Sequence, residues 1–296
     1  MISFSSFEEL VNASTSNAGF NEKVELPLKE GVSYKFADKP DNTLNLVILD
    51  VETTGLSYER DEIIELAAVG MQICADTYKV VSIGSLFDFF QEPDKPISAK
   101  ITEITGIKQE DVKGQKINFA EVRKWLDKAD LVIAHNASFD RPFVDRLPLD
   151  WDEINLRWAC SCHDANWPKY RYPNRKLGDI LNAAGFKFDA HRAINDCLAT
   201  AFALAYHPDE LKAVVNMGMN DTYRVMVSKT PYGSNDLVKS KGFAFNGNGW
   251  AKYFLDMDEM VEARTRIAEE MKEGYGRVPD IAIKQFSPFS RFAAGT

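Results

Sequence analysis

Residues 44–56 read Leu-Asn-Leu-Val-Ile-Leu-Asp-Val-Glu-Thr-Thr-Gly-Leu, an apolar run that ends in two acids and a turn. The apolar part predicts a buried strand over 45–52. Asp50 and Glu52 lie two positions apart, so strand geometry directs both side chains to the same face. Burying two carboxylates is costly unless protons, hydrogen bonds or a cation relieve their charge. An Asp-x-Glu at a strand end is also compatible with an ordinary cap or a salt bridge, so further acids decide its role.

The segments on either side of this strand predict a mixed α/β sheet. Three successive predicted strands suggest an antiparallel meander. After them, apolar residues recur at the three- and four-residue spacing of helices, and a short predicted strand then leads directly into another helix. The predicted strands cover 45–52, 63–73, 80–90 and 131–135, and the predicted helices cover 97–105, 119–129, a segment from about Ala137, and 193–206.

Composition divides the chain into three parts. Residues 1–43 are polar and mixed and are interpreted as an N-terminal lead-in. Residues 44–208 hold the predicted α/β domain, and the dipeptide His207-Pro208 ends its last helix. In residues 209–296 the sequence pattern changes and indicates short strands, turns and a charged helix over 256–273. This pattern predicts a second small α+β domain of unknown role.

Length and charge exclude several classes of protein. The 296 residues are 45% hydrophobic, which is enough to build a substantial core. A formal net charge of −9 argues against a basic protein that coats duplex nucleic acid, although it does not exclude a local cleft. No apolar run is long enough to span a membrane, the N-terminus lacks a signal core, and the four cysteines form no disulfide framework. We expect a cytoplasmic protein that does not contact membranes.

Two further acids and a histidine lie where they could join the Asp50 and Glu52 pair. Asp140 follows the strand 131–135 in the first turns of the next helix, a position that suits a site at strand ends. Asp196 lies early in the helix 193–206 and flanks its apolar stripe. His191 precedes Asp196 by five residues, where the chain enters that helix. A lone histidine is more often structural, but this one accompanies a set of acids.

Three segments together carry a resemblance to a known family. Asp50-Val-Glu52-Thr-Thr-Gly, His135-Asn-Ala-Ser-Phe-Asp140 and His191-Arg-Ala-Ile-Asn-Asp196 resemble, in order and separation, the three motifs of the DEDDh (DnaQ-like) 3′–5′ exonucleases. The likeness covers about residues 44–206 and is greatest to the exonuclease X-like branch. It implies a ribonuclease H-like fold, a mixed sheet flanked by helices.

The resemblance also implies a function and a set of roles. Asp50, Glu52, Asp140 and Asp196 would hold two Mg²⁺ or Mn²⁺ ions, and His191 would be the general base. The products would be nucleoside 5′-monophosphates released from a DNA 3′ end that is single-stranded at the terminus. The residues implied to hold that end are Thr53, Gly55, Leu56, Asn136 and Phe139, although each also suits a plain turn or packing role.

Alternatives remain open at this stage. The same acids could serve an exoribonuclease that trims RNA 3′ ends, because the 2′-hydroxyl is recognised by surrounding contacts. A non-catalytic module that binds nucleic acid is the second alternative, and the intact acids and histidine argue against it. Glu65, in the strand 63–73, is expected to support the site and not to bind metal. The basic and aromatic segment Lys169–Lys176 is interpreted equally as a contact for a single strand or as a surface loop.

Overall fold

The computed structural model describes residues 1–16, 22–151, 154–245 and 248–295. These residues build two sheets with helices packed against them and one short pair of strands. The strands are β1 (Ile2–Ser3), β2 (Val24–Glu25), β3 (Ser33–Lys35), β4 (Thr43–Thr53), β5 (Ile63–Cys74), β6 (Val80–Phe90), β7 (Leu131–Ala134), β8 (Trp158–Cys160), β9 (Phe186–Lys187), β10 (Thr222–Ser228), β11 (Ala244–Phe245), β12 (Trp250–Phe254) and β13 (Asp280–Phe286).

The described residues form eleven α-helices, among which the predicted helices occur in the predicted order. They are α1 (Phe7–Thr15), α2 (Ala99–Thr105), α3 (Gln109–Val112), α4 (Phe119–Leu126), α5 (Ala137–Val144), α6 (Ser161–Asp164), α7 (Leu177–Ala183), α8 (Ala193–Tyr206), α9 (Pro208–Met219), α10 (Asn235–Ser240) and α11 (Met257–Tyr275), with a 3-10 turn over Trp167–Tyr170. The segments predicted at 97–105, 119–129 and 193–206 are all helical, with ends that move by at most three residues.

The larger sheet has seven strands in the order β1-β3-β6-β5-β4-β7-β8. β4, β5 and β6 form the predicted antiparallel meander, and β7 and β8 continue the sheet in parallel with β4. Most residues of β4 and β5 are buried, as expected for central strands with helices on both faces. The predicted α/β class, a mixed sheet flanked by helices, is therefore confirmed.

Two apolar cores lie on the two faces of this sheet. One core contains α8, whose residues Leu198, Ala201 and Phe202 pack over β4 and β5 together with α7 and α9. The other contains α4 and α5 and includes Phe143 and Trp158. The sheet is therefore enclosed, and polar groups that remain near its centre need a specific partner.

The N-terminal residues and the C-terminal domain each contact this sheet. β1 and β3 extend it beyond β6, and Leu10 of α1 is buried in the α8 core. Residues 222–286 build a separate antiparallel sheet in the order β11-β12-β10-β13, against which α10 and α11 pack. The second small α+β domain is therefore confirmed as a feature of the fold. No helix among the described residues is long and apolar enough to cross a membrane.

Candidate active site

Three carboxylates meet beside the centre of the seven-stranded sheet. Asp50 and Glu52 extend from the same face of β4, and Asp196 comes from the first turn of α8, which crosses that strand. One carboxylate oxygen from each residue lies within 4.8 Å of the others. All three side chains are half-buried, so the group is sheltered by the fold and still open to solvent on one side.

Asp140 is a neighbour of this group, but it is not one of the residues whose oxygens all lie within 4.8 Å of one another. It projects from α5, is only 3% exposed, and its Oδ1 accepts a hydrogen bond from the Val51 backbone N–H at 3.3 Å. Its negative charge is the largest electrostatic influence on Asp50 after burial itself. Of the four acids predicted to converge, three are in mutual contact range and the fourth is their immediate neighbour.

The clustered acids retain protons more strongly than isolated carboxylates do. Burial, followed by the charges of Asp140, Asp196 and Glu52, raises the pKa of Asp50 well above its usual range. Burial, followed by the charges of Asp196, Glu65 and Asp140, raises the pKa of Glu52 to about 8, and burial raises that of Asp140 to about 7. Burial also raises the pKa of Asp196 to about 6, against the hydrogen bond from the His191 backbone, which lowers it. Like charges at this spacing repel one another, so a cation would relieve all four.

The arginine nearest to the cluster is engaged by another acid. Glu65 is fully buried on β5, directly across from Glu52, and accepts hydrogen bonds from Nε and Nη2 of Arg192 at 3.0–3.2 Å. Its second oxygen also accepts from the Ala193 backbone N–H at 3.0 Å. Glu65 therefore fixes the first residues of α8, in agreement with the supporting role expected for it.

His191 lies at the entrance to α8 and is exposed. Its backbone adopts a φ of 66°, a left-handed conformation that is uncommon for a residue other than glycine. In this conformation its backbone N–H donates to Asp196 Oδ2 at 2.7 Å. The turn thus connects the histidine directly to one of the clustered acids.

A tight turn follows the two acids of β4. The register of β4 against β5 shifts between Glu52 and Thr53, and the Thr53 hydroxyl donates to the Gly55 carbonyl at 2.6 Å. A β-carbon at Gly55 would lie 2.5–2.7 Å from the Asp61 carboxylate, so a larger residue there would have to displace the Asp61 side chain. Leu56 is 88% exposed, which leaves a large apolar side chain in solvent four residues after Glu52.

The second motif lies between β7 and α5. Asn136 is exposed and has a φ of 120°, and the Phe139 ring packs against Phe143 with 5.2 Å between centroids. His135 bonds through Nδ1 to the Ser161 hydroxyl and through Nε2 to the Arg175 carbonyl. Burial lowers the pKa of His135 to about 4, so it is neutral and serves to fix the strand end.

The segment Lys169–Lys176 is largely committed to contacts within the protein. Tyr170 and Tyr172 stack on each other and surround His207, and Lys169 pairs with Asp209 at 2.8 Å. These rings are therefore held by their neighbours and are not arranged as free surfaces for bases.

Sequence reasoning missed two arginines around this site. The role of Arg192 could have been suspected from its place between His191 and the helix. Arg141, directly after Asp140, is 8% exposed and donates to the backbone carbonyls of Phe289 and Arg291. No local pattern signals that contact, because its partners lie 148 and 150 residues away along the chain.

Comparison with families of known proteins gives one clear match. The profile of the RNase_T family, described as exonuclease, matches residues 47–204, a range that contains the four acids and His191. Three relatives are PolC-type DNA polymerase III proteins from Bacillus subtilis (33% identical over 213 residues), Latilactobacillus sakei (44% over 181) and Halalkalibacterium halodurans (31% over 239). These alignments cover 65%, 58% and 70% of this chain and only 14%, 12% and 15% of the relatives.

Solved structures with a similar arrangement also include exonucleases. Exonuclease X in complex with 5′ overhanging duplex DNA is 26% identical, with a TM-score of 0.40 over 56% of this chain and 91% of that one. A structure of exonuclease I is 17% identical, with a TM-score of 0.48 over 83% of this chain and 63% of that one.

Proposed function

This chain belongs to the exonuclease family, and from that premise we propose that it is a 3′–5′ exonuclease that releases nucleoside 5′-monophosphates from DNA. One observation carries the proposal. Asp50, Glu52 and Asp196 meet within 4.8 Å, and within the described ranges no Lys or Arg forms an ion pair with them or with Asp140. Such a cluster needs a partner from solution, and carboxylate oxygens are the donors that Mg²⁺ and Mn²⁺ prefer.

The residues present fit a pair of divalent cations. Asp50, Glu52, Asp140 and Asp196 would hold them, and binding would displace the protons that burial retains on these acids. When bound, two such ions can activate a water and stabilise the charge that develops on the leaving oxygen. The chain itself contributes the fixed arrangement of the acids, which β4 and α8 supply from two rigid elements.

His191 is proposed as the general base. Its backbone is fixed to Asp196 by the 2.7 Å hydrogen bond, while its side chain is exposed and free to face the solvent side of the site. A neutral imidazole there can accept the proton of the attacking water, which is the step that a carboxylate engaged with a cation performs poorly. For this role His191 must lie close to the acids without itself binding a cation.

The end of the substrate is proposed to lie on the turn after β4. Thr53 and Gly55 present backbone groups there, and the exposed Leu56 side chain offers an apolar surface for the terminal base. Asn136 and Phe139, at the start of α5, would form the opposite wall.

DNA is the proposed polymer because the relatives of 31–44% identity are named as DNA polymerases. The chain spans 12–15% of those relatives, so the proposal extends only to cleavage at a strand end. A 3′ terminus that is unpaired gives the turn access to the last base, since a paired base is stacked and hydrogen-bonded within the duplex.

Purified protein incubated with Mg²⁺ and 5′-labelled single-stranded DNA tests the proposal. A ladder that shortens from the 3′ end is expected, with inhibition by a 3′-phosphate and by excess chelator. RNA and blunt duplex of the same sequence serve as parallel substrates. Early release of the labelled 5′ nucleotide, or full activity in chelator, would overturn the proposal, and faster cleavage of RNA would replace DNA as the substrate.

A further inference from the structure

Residues 288–292 follow the last strand of the C-terminal domain and return to the exonuclease domain; we call them the return segment. Its Pro288 carbonyl accepts a hydrogen bond from the Trp158 backbone N–H of β8 at 3.2 Å. The Phe292 side chain is 5% exposed and belongs to the same apolar core as Phe143 of α5. The return segment therefore lies against both α5 and β8, the two elements next to β7 on this side of the sheet.

Arg141 connects the return segment to the helix that carries Asp140. Its guanidinium donates through one terminal nitrogen to the Phe289 carbonyl at 2.6 Å and through the other to the Arg291 carbonyl. A planar fork that holds two carbonyls fixes orientation as well as distance, which a point charge such as lysine cannot do. Arg141 also contacts Asp145 at 3.3 Å and lies over the Trp158 ring.

Arg291 fixes the return segment from its other side. It is fully buried, and its two terminal nitrogens bond to both carboxylate oxygens of Asp164 at 2.6 and 3.0 Å. It also donates to the Met217 carbonyl at 2.9 Å, and Asp164 in turn accepts from the Cys160 backbone N–H at the end of β8. A buried ion pair with this many bonds has one arrangement, so the position of the Arg291 carbonyl is fixed as well.

We propose that Arg141 is a positioning residue for the exonuclease site, through which the return segment sets where α5 holds Asp140. Asp140 is the one acid of the four outside the group whose oxygens all lie within 4.8 Å of one another, so small movements of α5 decide how well it could reach a cation held by that group. Misplacement of a reacting group by about 1 Å can cost about 10²-fold in rate. The expected change in cleavage rests on the proposed function, whereas the expected change in cation affinity can be measured without it.

Arg141→Lys in the full chain is the principal variant, because it keeps the charge and loses the fork. Arg157→Lys is its matched control, since Arg157 stacks on the Phe289 ring of the same return segment but does not belong to α5. Two measurements apply to both: Mn²⁺ affinity by calorimetric titration without nucleic acid, and the single-turnover rate and half-saturating concentration with single-stranded DNA. The melting temperature checks folding.

We expect Arg141→Lys to bind Mn²⁺ about 10-fold more weakly, the lower end of the effect of losing a group that orients a metal ligand. Its cleavage rate should fall by about the same factor with little change in half-saturating DNA, while Arg157→Lys behaves as the parent. Parental Mn²⁺ affinity in Arg141→Lys, or an equal loss in both variants, would overturn the proposal.

Arg291→Lys decides the matter if Arg141→Lys does not fold, because it loosens the same return segment without changing α5. Weaker Mn²⁺ binding in that variant supports the proposal and unchanged binding refutes it. A parent that binds Mn²⁺ but cleaves no DNA would refute the proposed exonuclease activity alone, and the titrations would still test the positioning role. A parent that binds no Mn²⁺ would refute both.

Discussion

Two groups of carboxylates, one fully buried and one half-buried, differ in how their charge is compensated. Asp164 is held by both terminal nitrogens of Arg291, and the side chains of the pair are fully buried. Asp50, Glu52 and Asp196 lie within contact range of one another and have no such partner among the described residues. Burial of charge is tolerated in the first case because it is paired, and in the second only while protons or cations neutralise it.

Glu65 shows that paired and unpaired acids can lie side by side in the same sheet. It lies opposite Glu52 on the neighbouring strand and accepts hydrogen bonds from the guanidinium of Arg192, which also lies 4.0 Å from Asp88. An arginine is thus present beside the carboxylate cluster but is directed away from it. The chain thus pairs arginine with acids that are structural and leaves uncompensated the acids where chemistry is proposed.

Among the substitutions considered, Asp50→Asn should cause the largest loss of cleavage. The amide removes a charged ligand from the centre of the cluster, and we expect cleavage to fall by about 10⁴-fold, beyond the roughly 10–100-fold effect of losing a partner of a metal ligand. Stability should be maintained or increased, because a repelling charge is gone. Single-turnover rates and thermal melting measure the two effects.

The control for Asp50→Asn is Asp41→Asn, the same change at an exposed acid before β4. It should leave both quantities unchanged. Normal cleavage by Asp50→Asn would contradict the ligand assignment, and a large loss of stability would contradict the account of repulsion.

His191→Gln separates proton transfer from charge compensation. We expect the cleavage rate to fall by about 10³-fold, within the usual range for a general base, while Mn²⁺ affinity hardly changes. His207→Gln is the comparison, because His207 is buried among Tyr170, Tyr172 and Trp167 and should affect stability without slowing cleavage. Unchanged chemistry in His191→Gln would show that it merely shapes the turn.

Asp164→Asn tests the compensated group. Arg291 would remain buried with its charge unpaired, so we expect the free energy of unfolding to fall by about 3–5 kcal/mol. The double variant Asp164→Leu with Arg291→Met should recover most of that loss, since both charges are removed together. Chemical denaturation measures all three proteins, and a loss below about 1 kcal/mol in the single variant would contradict the assigned importance of the pair.

The stability of the metal-free protein should fall as the pH rises from about 6.5 to 8.5. Glu52 and Asp140 keep protons in the fold up to pKa values of about 8 and 7, whereas unfolded carboxylates lose them near 4. The folded state therefore binds more protons across this window, and stability decreases with pH. Below pH 6.5 the trend is opposed by His135 and His207, whose pKa values burial lowers to about 4.

Melting curves in chelator and in Mg²⁺ measure this pH effect. The decrease should be smaller in Mg²⁺, which replaces the protons, and smaller in Glu52→Gln, which cannot ionise. A melting temperature that rises steadily over the same window in chelator would contradict the assignment of uncompensated charge.

Much of the fold and the candidate site could be predicted because the signals are local. The apolar run within 45–52 indicates a buried central strand, and the two-residue spacing of Asp50 and Glu52 places both on one face of it. Asp196 and His191 are close in sequence, so their hydrogen bond follows from the start of one helix. These interactions depend on neighbouring residues, which is where sequence patterns are informative.

The rest could not be predicted because it depends on distant partners. The strands at 2–3 and 33–35 are too short to produce a pattern and form by pairing with each other and with β6. Arg141 and Asp164 contact the return segment across 150 and 127 residues. Asp140 lies just outside the group of three carboxylates, and the spacing of motifs along the chain cannot distinguish such small differences in distance between side chains.

The long separation between Arg141 and its carbonyl partners has a consequence for synthesis. Translation proceeds at about 5–20 residues per second, so the 150 residues between Arg141 and Arg291 take roughly 8–30 s to make. During that interval the nascent exonuclease domain holds its acids but lacks the backbone groups that orient α5. Ribosome-bound chains arrested before residue 288 emerges should bind Mn²⁺ more weakly than released protein, so that nuclease activity would mature only after most of the polypeptide has left the ribosome.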